Sequence, residues 1–213
     1  MLFRSAVPDM LYIGSGAVYG RRTTPEPISE DDPIAPDPMD VGLTLGHAKR
    51  AAEHFCAIYG ARGVTRIKIA RCFSFVGPQL PLDIHYAIGN FIADAIAGRP
   101  ITVTGTGLPV RSYMYMSDLV VWLITILLRG QPLRPYNVGS QDGRTVLEVA
   151  DIVAAVGSQS VPDIEPRRIH TAIRPATITY PPRPGRCGNW VFNWPHRSRT
   201  PFAKRWPTTS LWS

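Results

Sequence analysis

The stretch GLTLGHAKRAAE (42–53) places a lysine, Lys49, on a helix with an apolar stripe. Chemistry that uses a lysine in this setting wants a tyrosine one helical turn earlier, and Leu45 stands there. Leucine has no proton to give or take. The glycine-rich run GSGAVYG (14–20) is a second candidate, because glycine turns can cradle phosphate. A dinucleotide fingerprint G-x-G-x-x-G would need glycine at 19, where the chain has Tyr19, and a helix directly after it, where a proline-rich run follows. GTG (105–107) lacks both the third glycine and the helix and reads as a turn between strands. Cys56, Cys72 and Cys187 fit no CxxC or metal spacing, which predicts reduced intracellular thiols and no metal site. His47 and His85 have no evident partner and read as solvated.

The elements that must position these residues alternate between strand and helix. MLYIGS (10–15) predicts a buried strand, and the Pro-rich acidic run 21–40 predicts a long loop of the lid-like kind. A helix over roughly 43–60 carries Leu45, Ala48, Ala52, Phe55, Cys56 and Tyr59 at the spacing of one face, and Gly60 and Gly63 end it. VTRIKIARCF (64–73) reads as a strand, 86–98 as a helix, ITVTG (101–105) and RSYMYM (111–116) as strands. Asp118 then sits where an N-cap would, before a buried apolar helix over 119–129. YNVGS (136–140) reads as strand and turn, and Thr145 with Glu148 forms a capping box opening the next helix. The order implies an α/β fold.

The totals fit one globular domain of 213 residues. LVVWLITILL (119–128) is too short to span a bilayer, and the first residues lack the apolar core of a signal peptide, so a cytoplasmic protein with no membrane partner is expected. The net charge of +7 is unevenly spread: residues 1–165 hold 14 Lys and Arg against 16 acids, and residues 166–213 hold nine Lys and Arg and no acid. Trp190, Trp194, Trp206 and Trp212 also lie in that tail.

Taken in order, SGAVYG, the acidic loop, the Lys49 helix, RCFSFVGP (71–78), ITVTGTG, VRSYMYMSDL (110–119), YNVGS and TVLEVA resemble the NAD-dependent epimerase/dehydratase family, the extended short-chain dehydrogenases acting on nucleotide sugars. The resemblance covers roughly residues 8–180. It implies that residues 1–180 form the C-terminal part of a Rossmann-like parallel sheet together with the smaller substrate-binding α/β region, and that 181–213 is an irregular basic tail. In that family Ser15 would hydrogen-bond the sugar C4 oxygen, with a serine satisfying backbone at a strand end as the alternative. Lys49 would lower the pKa of the tyrosine four residues earlier and bond the nicotinamide ribose of NAD. Ser74 replaces the usual asparagine of a loop lining the sugar and diphosphate. Asn90 matches an asparagine on the diphosphate. Arg111 matches an arginine whose planar fork holds two phosphate oxygens, with a surface arginine at a strand end as the alternative. Gly16 and Ala17 stand where dehydratases of the family carry an Asp-Glu pair, which favours epimerisation or simple redox at C4 as the ancestry.

Two departures lead to further expectations. The family begins with a glycine-rich strand–turn–helix that holds the NAD pyrophosphate, and nothing before LYIGS matches it, so the chain is expected to be N-terminally incomplete. The tail, reread one base back, forces leucine at both Asn-Trp pairs and glycine at Trp190-Val191. Residues 188–212 then admit an ending of the family type, which predicts a frameshift near 181–186 that gene sequencing would reveal. The expected protein is a family member with a nucleotide-sugar ligand and little or no turnover. Its rivals are a non-catalytic nucleotide-sugar-binding or partner-completing module and, with less support, a nucleic-acid binder using the tail. Intact relatives are expected as homodimers.

Overall fold

The computed structural model describes residues 7–21, 27–84, 86–160 and 169–171, with 158–160 and 169–171 described by backbone alone. His85, Cys187 and the whole of 181–213, with its tryptophans and the expected frameshift, lie outside the described residues.

The first layer is a parallel sheet. Strand β1 (Asp9–Ser15) pairs with β2 (Arg66–Cys72), which pairs with β6 (Pro135–Val138), in the order β1-β2-β6. Alternation along β2 sends Ile67 and Ile69 to one face and Ala70 and Cys72 to the other. Helix α1 (Thr44–Gly60) covers the first face through Cys56, with Met10, Tyr12 and Tyr59 completing the cluster. Helix α3 (Met116–Arg129) covers the second through Trp122 and Ile126 against Ala70, Tyr136 and Val138. Both faces of β2 are therefore covered, as a parallel strand between two helices requires. Ile67 and Ile69 are 0 % and 5 % exposed, and each such burial stabilises by about 1.5–3 kcal/mol.

A second layer continues the chain. Strand β3 (Ser74–Val76) pairs in parallel with β5 (Val110–Tyr115), which pairs antiparallel with β7 (Gly143–Thr145). Strand β4 (Thr102–Thr104) pairs with β8 (Ile169–Thr171). Helices α2 (Ala87–Ile96) and α4 (Val146–Ser160) share a core of Val76, Ile88, Phe91, Ile92, Ile101, Val103, Val149 and Val153. The α/β fold expected from the sequence is present.

Three sequence expectations change. Asp118 does not cap α3: the cap is Tyr115, in extended backbone, and Asp118 lies in the first helical turn, where its charge suits the positive end of the helix dipole. Helix α3 is buried on one side only, since Val120, Val121, Ile124 and Leu128 are exposed. The apolar stripe of α1 likewise buries Cys56 but leaves Leu45 and Phe55 exposed. Periodicity identifies the apolar face without saying how much of it is covered. No helix among the described residues is long and apolar enough to cross a membrane.

One buried charge sets an acid dependence. Lys68, on β2, is 3 % exposed and pairs with Asp9, which also accepts from Arg66 Nε at 2.9 Å. The hydrogen bonds from Arg66 and Lys68 hold the Asp9 carboxyl at about 2. A carboxyl depressed in the folded state contributes stability above its unfolded pKa of about 3.9 and loses it as pH falls toward the folded value. The urea midpoint is expected to drop between about pH 4 and about pH 2. Asp9→Asn should flatten that part of the profile, as tryptophan fluorescence would report.

Candidate active site

Strands β1, β2 and β6 end together. Ser15 is the register partner of Cys72, and Cys72 of Val138. In open parallel sheets the carboxyl ends of strands form the ligand crevice, and Ser15 stands there. Its Oγ accepts from Ala17 N at 3.1 Å and caps a short 3-10 turn, Gly16–Tyr19. This is the backbone-satisfying role that the sequence left open.

Helix α1 meets that turn because Gly46 has no side chain. A Cβ on Gly46 would lie 2.5 Å from Ala17 O and 2.9 Å from Pro36 Cγ. Alanine there gains about 1 kcal/mol of helix propensity. The overlap with a backbone oxygen forces a shift costing about 1–3 kcal/mol, which wins. Gly46→Ala should therefore lower stability, and Gly46→Val should lower it further, in urea unfolding. The close approach brings Lys49 to the edge of β1, where Nζ donates to Ile13 O at 3.2 Å and lies 5.6 Å from the Tyr12 ring centroid. Burial pushes the Cys72 thiol up to about 11, against the pull of the Lys49 charge. Leu45, one turn before Lys49, is 60 % exposed. Burial, with Cys56 and Glu53 nearby, raises the pKa of Tyr12 and favours its neutral form.

The second group of predicted residues lies on the second layer. Ser74 is the register partner of Tyr113 on β5, and Arg111 lies two residues before Tyr113. All three share one face of that sheet. Arg111 is half-buried, and its Nη1 donates to Val110 O at 3.0 Å. Burial lowers its pKa, and among the described residues it has no carboxylate partner. Asn90 is exposed on α2, and with its amide nitrogen turned inward it donates to Leu82 O and Ile84 O at 3.1 Å each. Ser15 and Lys49 thus gather at the parallel sheet, and Ser74 and Arg111 on the adjoining sheet. The link Cys72–Phe73–Ser74 joins the two, with Phe73 N donating to Val138 O at 3.0 Å and the Phe73 ring against Gly16.

A polar network beneath the site was not visible in the sequence. Arg71 grips both carboxylate oxygens of Glu53, at 2.9 and 2.7 Å, and its Nη1 donates to Tyr19 Oη at 2.7 Å and to Glu30 O at 3.3 Å. Tyr19 Oη donates in turn to Asn137 Oδ1 at 2.8 Å, and Asn137 N donates to Glu30 Oε1 at 3.1 Å. The described part of the acidic loop is thereby pinned: Ile28 is 2 % exposed against Val18 and Tyr19, which is no lid. His47, read as solvated, lies 3.0 Å from Asp37 O through Nε2.

The family model for the NAD dependent epimerase/dehydratase family matches residues 1–139. The chain belongs to that family. UDP-glucuronic acid decarboxylase 1 of Arabidopsis thaliana is 37% identical over 120 residues, covering 56% of this chain and 27% of that protein. UDP-glucuronic acid decarboxylase 1 of Danio rerio is 30% identical over 178 residues, covering 79% of this chain and 42% of that protein. The chain thus spans less than half the length of these two relatives. UDP-glucose 4-epimerase of Thermus thermophilus, solved as a complex with NAD, shares the fold with a TM-score of 0.74 at 22% identity, covering 92% of this chain and 60% of that one.

The described residues fit NAD only in part. Lys49 suits a ribose hydroxyl, but the glycine-containing turn that leads into α1, Val41–Leu43, gives its Gly42 N to Asp40 Oδ1 and so offers no free cradle for a pyrophosphate. GSGAVYG opens a four-residue 3-10 turn, and Gly20, at φ 69°, is packed against Pro36, where a Cβ would lie 2.8 Å from its Cα.

Proposed function

We propose that this chain is a nucleotide-sugar-binding member of its family that does not carry out the family's proton transfer. The supporting observation is a contrast between two positions. Arg111 keeps a half-buried guanidinium free of any carboxylate among the described residues, at a cost in desolvation that an anionic ligand would offset. Leu45, one turn before Lys49, presents an aliphatic side chain to solvent where an acid/base is needed. In this reading Arg111 takes the diphosphate, Ser74 and Asn90 line its approach, and Ser15 holds a sugar hydroxyl. Lys49 orients a neighbouring hydroxyl without a phenol to activate. The uridine-linked relatives make UDP-glucuronic acid the first ligand to test. Calorimetric titration should show saturable binding of that ligand without added dinucleotide. Absence of binding would remove the proposal.

A second reading adds a partner. Among the described residues β1 is an edge strand, and α3 exposes Val120, Val121, Ile124 and Leu128. An apolar helix of this kind is ordinarily covered on both sides. Sedimentation over a range of concentrations tests whether a second copy covers it, and a monomer throughout would count against self-association.

A further inference from the structure

Arg111 has a cross-strand partner of the same charge. In the antiparallel ladder of β5 and β7 it is paired directly with Arg144. Directly paired residues point to the same face, with Cβ atoms about 4.5–5.5 Å apart, and like charges placed so are unfavourable. The chain tolerates this because Arg144 leans to Asp142: Nε lies 3.0 Å from Oδ1, and Nη2 donates to Oδ2 at 3.1 Å. That ion pair is exposed, 42% and 44% for the two side chains. An ion pair at this exposure contributes little, and Arg144 Nε, buried without a hydrogen bond among the described residues, leaves a donor for a stronger anion. Glu148, whose carboxyl also feels Arg144, is committed to Thr145, accepting from its N at 2.7 Å and its Oγ1 at 2.9 Å.

The start of helix α4 is not the recognising element. Glu148 N donates to Thr145 Oγ1, Val146 N to Pro109 O and Leu147 N to Gly107 O, so these first-turn donors are occupied. The positive charge on this face comes from Arg111, with no carboxylate among the described residues, and Arg144, held only by Asp142. Strand β7 also follows β6 in the chain, so Arg144 lies on the segment leaving the carboxyl end of the parallel sheet.

We infer that Arg111 and Arg144 form a two-arginine cradle for one diphosphate group, and that Asp142 is the internal anion which Arg144 leaves as the ligand enters. This rests on the reading of Arg111 as an anion-binding residue and adds a second binding residue and a competing group. Two forks can take oxygens from two phosphates, so a diphosphate gains more than a monophosphate.

The test is calorimetry at fixed low salt with UDP, UMP and inorganic pyrophosphate, on the full chain and on Arg111→Ala, Arg144→Ala and Asp142→Asn. Arg144→Ala should weaken UDP and pyrophosphate about tenfold, the value of a charge-assisted hydrogen bond, and leave UMP nearly unchanged. Asp142→Asn should tighten UDP by roughly threefold, because the exposed ion pair no longer competes. Opposite signs at 142 and 144 are the signature, since a merely structural ion pair would weaken binding from either side. Pyrophosphate binding as well as UDP would mean that the diphosphate supplies the recognition; weaker pyrophosphate binding with the same response to Arg144→Ala would mean that uridine adds to it, and both support the cradle. If Arg111→Ala weakens UDP while the 142 and 144 variants are silent or move together, the cradle is wrong and the Arg111 reading stands. If UDP does not bind, or Arg111→Ala has no effect, both fall.

Discussion

Arg71→Met is expected to lose about 3–5 kcal/mol of folding stability, the cost of leaving a buried partner charge uncompensated. Arg71 and Glu53 are each 12% exposed, and the guanidinium meets both carboxylate oxygens, a phenol and a backbone carbonyl. Removing it leaves the Glu53 carboxylate without its cation and Tyr19 Oη without its donor. Domains of this kind hold about 5–15 kcal/mol in total, so the variant is expected near or beyond unfolding at room temperature. Arg71→Lys keeps the charge without the fork and should fall between the two. The double variant Arg71→Met with Glu53→Gln should recover part of the loss, because no orphan charge remains. Urea unfolding of the four proteins separates these cases. Equal loss in single and double variants would show that packing, and not the ion pair, holds this region.

Arg111→Ala has the opposite profile. Its side chain has no carboxylate among the described residues and is held at a pKa below its ordinary value by burial. Removing it should leave stability unchanged or slightly raised. Binding of UDP-glucuronic acid should weaken by about 2–5 kcal/mol, the range for truncating one partner of a desolvated charge pair. A gain in stability with a loss of binding is the pattern of a residue kept for its ligand. Paired thermal unfolding and calorimetry of wild type and variant check it. A large loss of stability with Arg111→Ala would mean that the guanidinium is structural.

What could be read from the sequence was local. Thr145 and Glu148 form their capping box as the three-residue spacing requires, with Glu148 N donating to Thr145 Oγ1 at 3.1 Å. Lys49 and Leu45 sit on α1 because helical periodicity fixes positions four apart. The alternation of strands and helices gave the α/β class for the same reason. What escaped depends on contacts between distant residues. Arg71 reaches Glu53, Glu30 and Tyr19, separations of 18, 41 and 52 residues, and no spacing rule spans such gaps. The pairing of Arg111 with Arg144 depends on the register of β5 and β7, which the intervening helix and strand set. Ile28 looked like loop and is core, because burial of an isolated apolar residue depends on what the rest of the chain brings to it. The exposure of Leu45 is of the same kind: its helix and face were legible, and its bare surroundings were not.

A site that holds a nucleotide sugar without a proton-transfer residue at position 45 makes two demands at once. Proton NMR of UDP-glucuronic acid mixed with the 213-residue chain and NAD tests both in one spectrum. Saturation transfer from protein to the uridine and sugar protons is expected, lost in Arg111→Ala, with no new sugar resonances over hours. Appearance of product resonances, or absence of any saturation transfer, would contradict it.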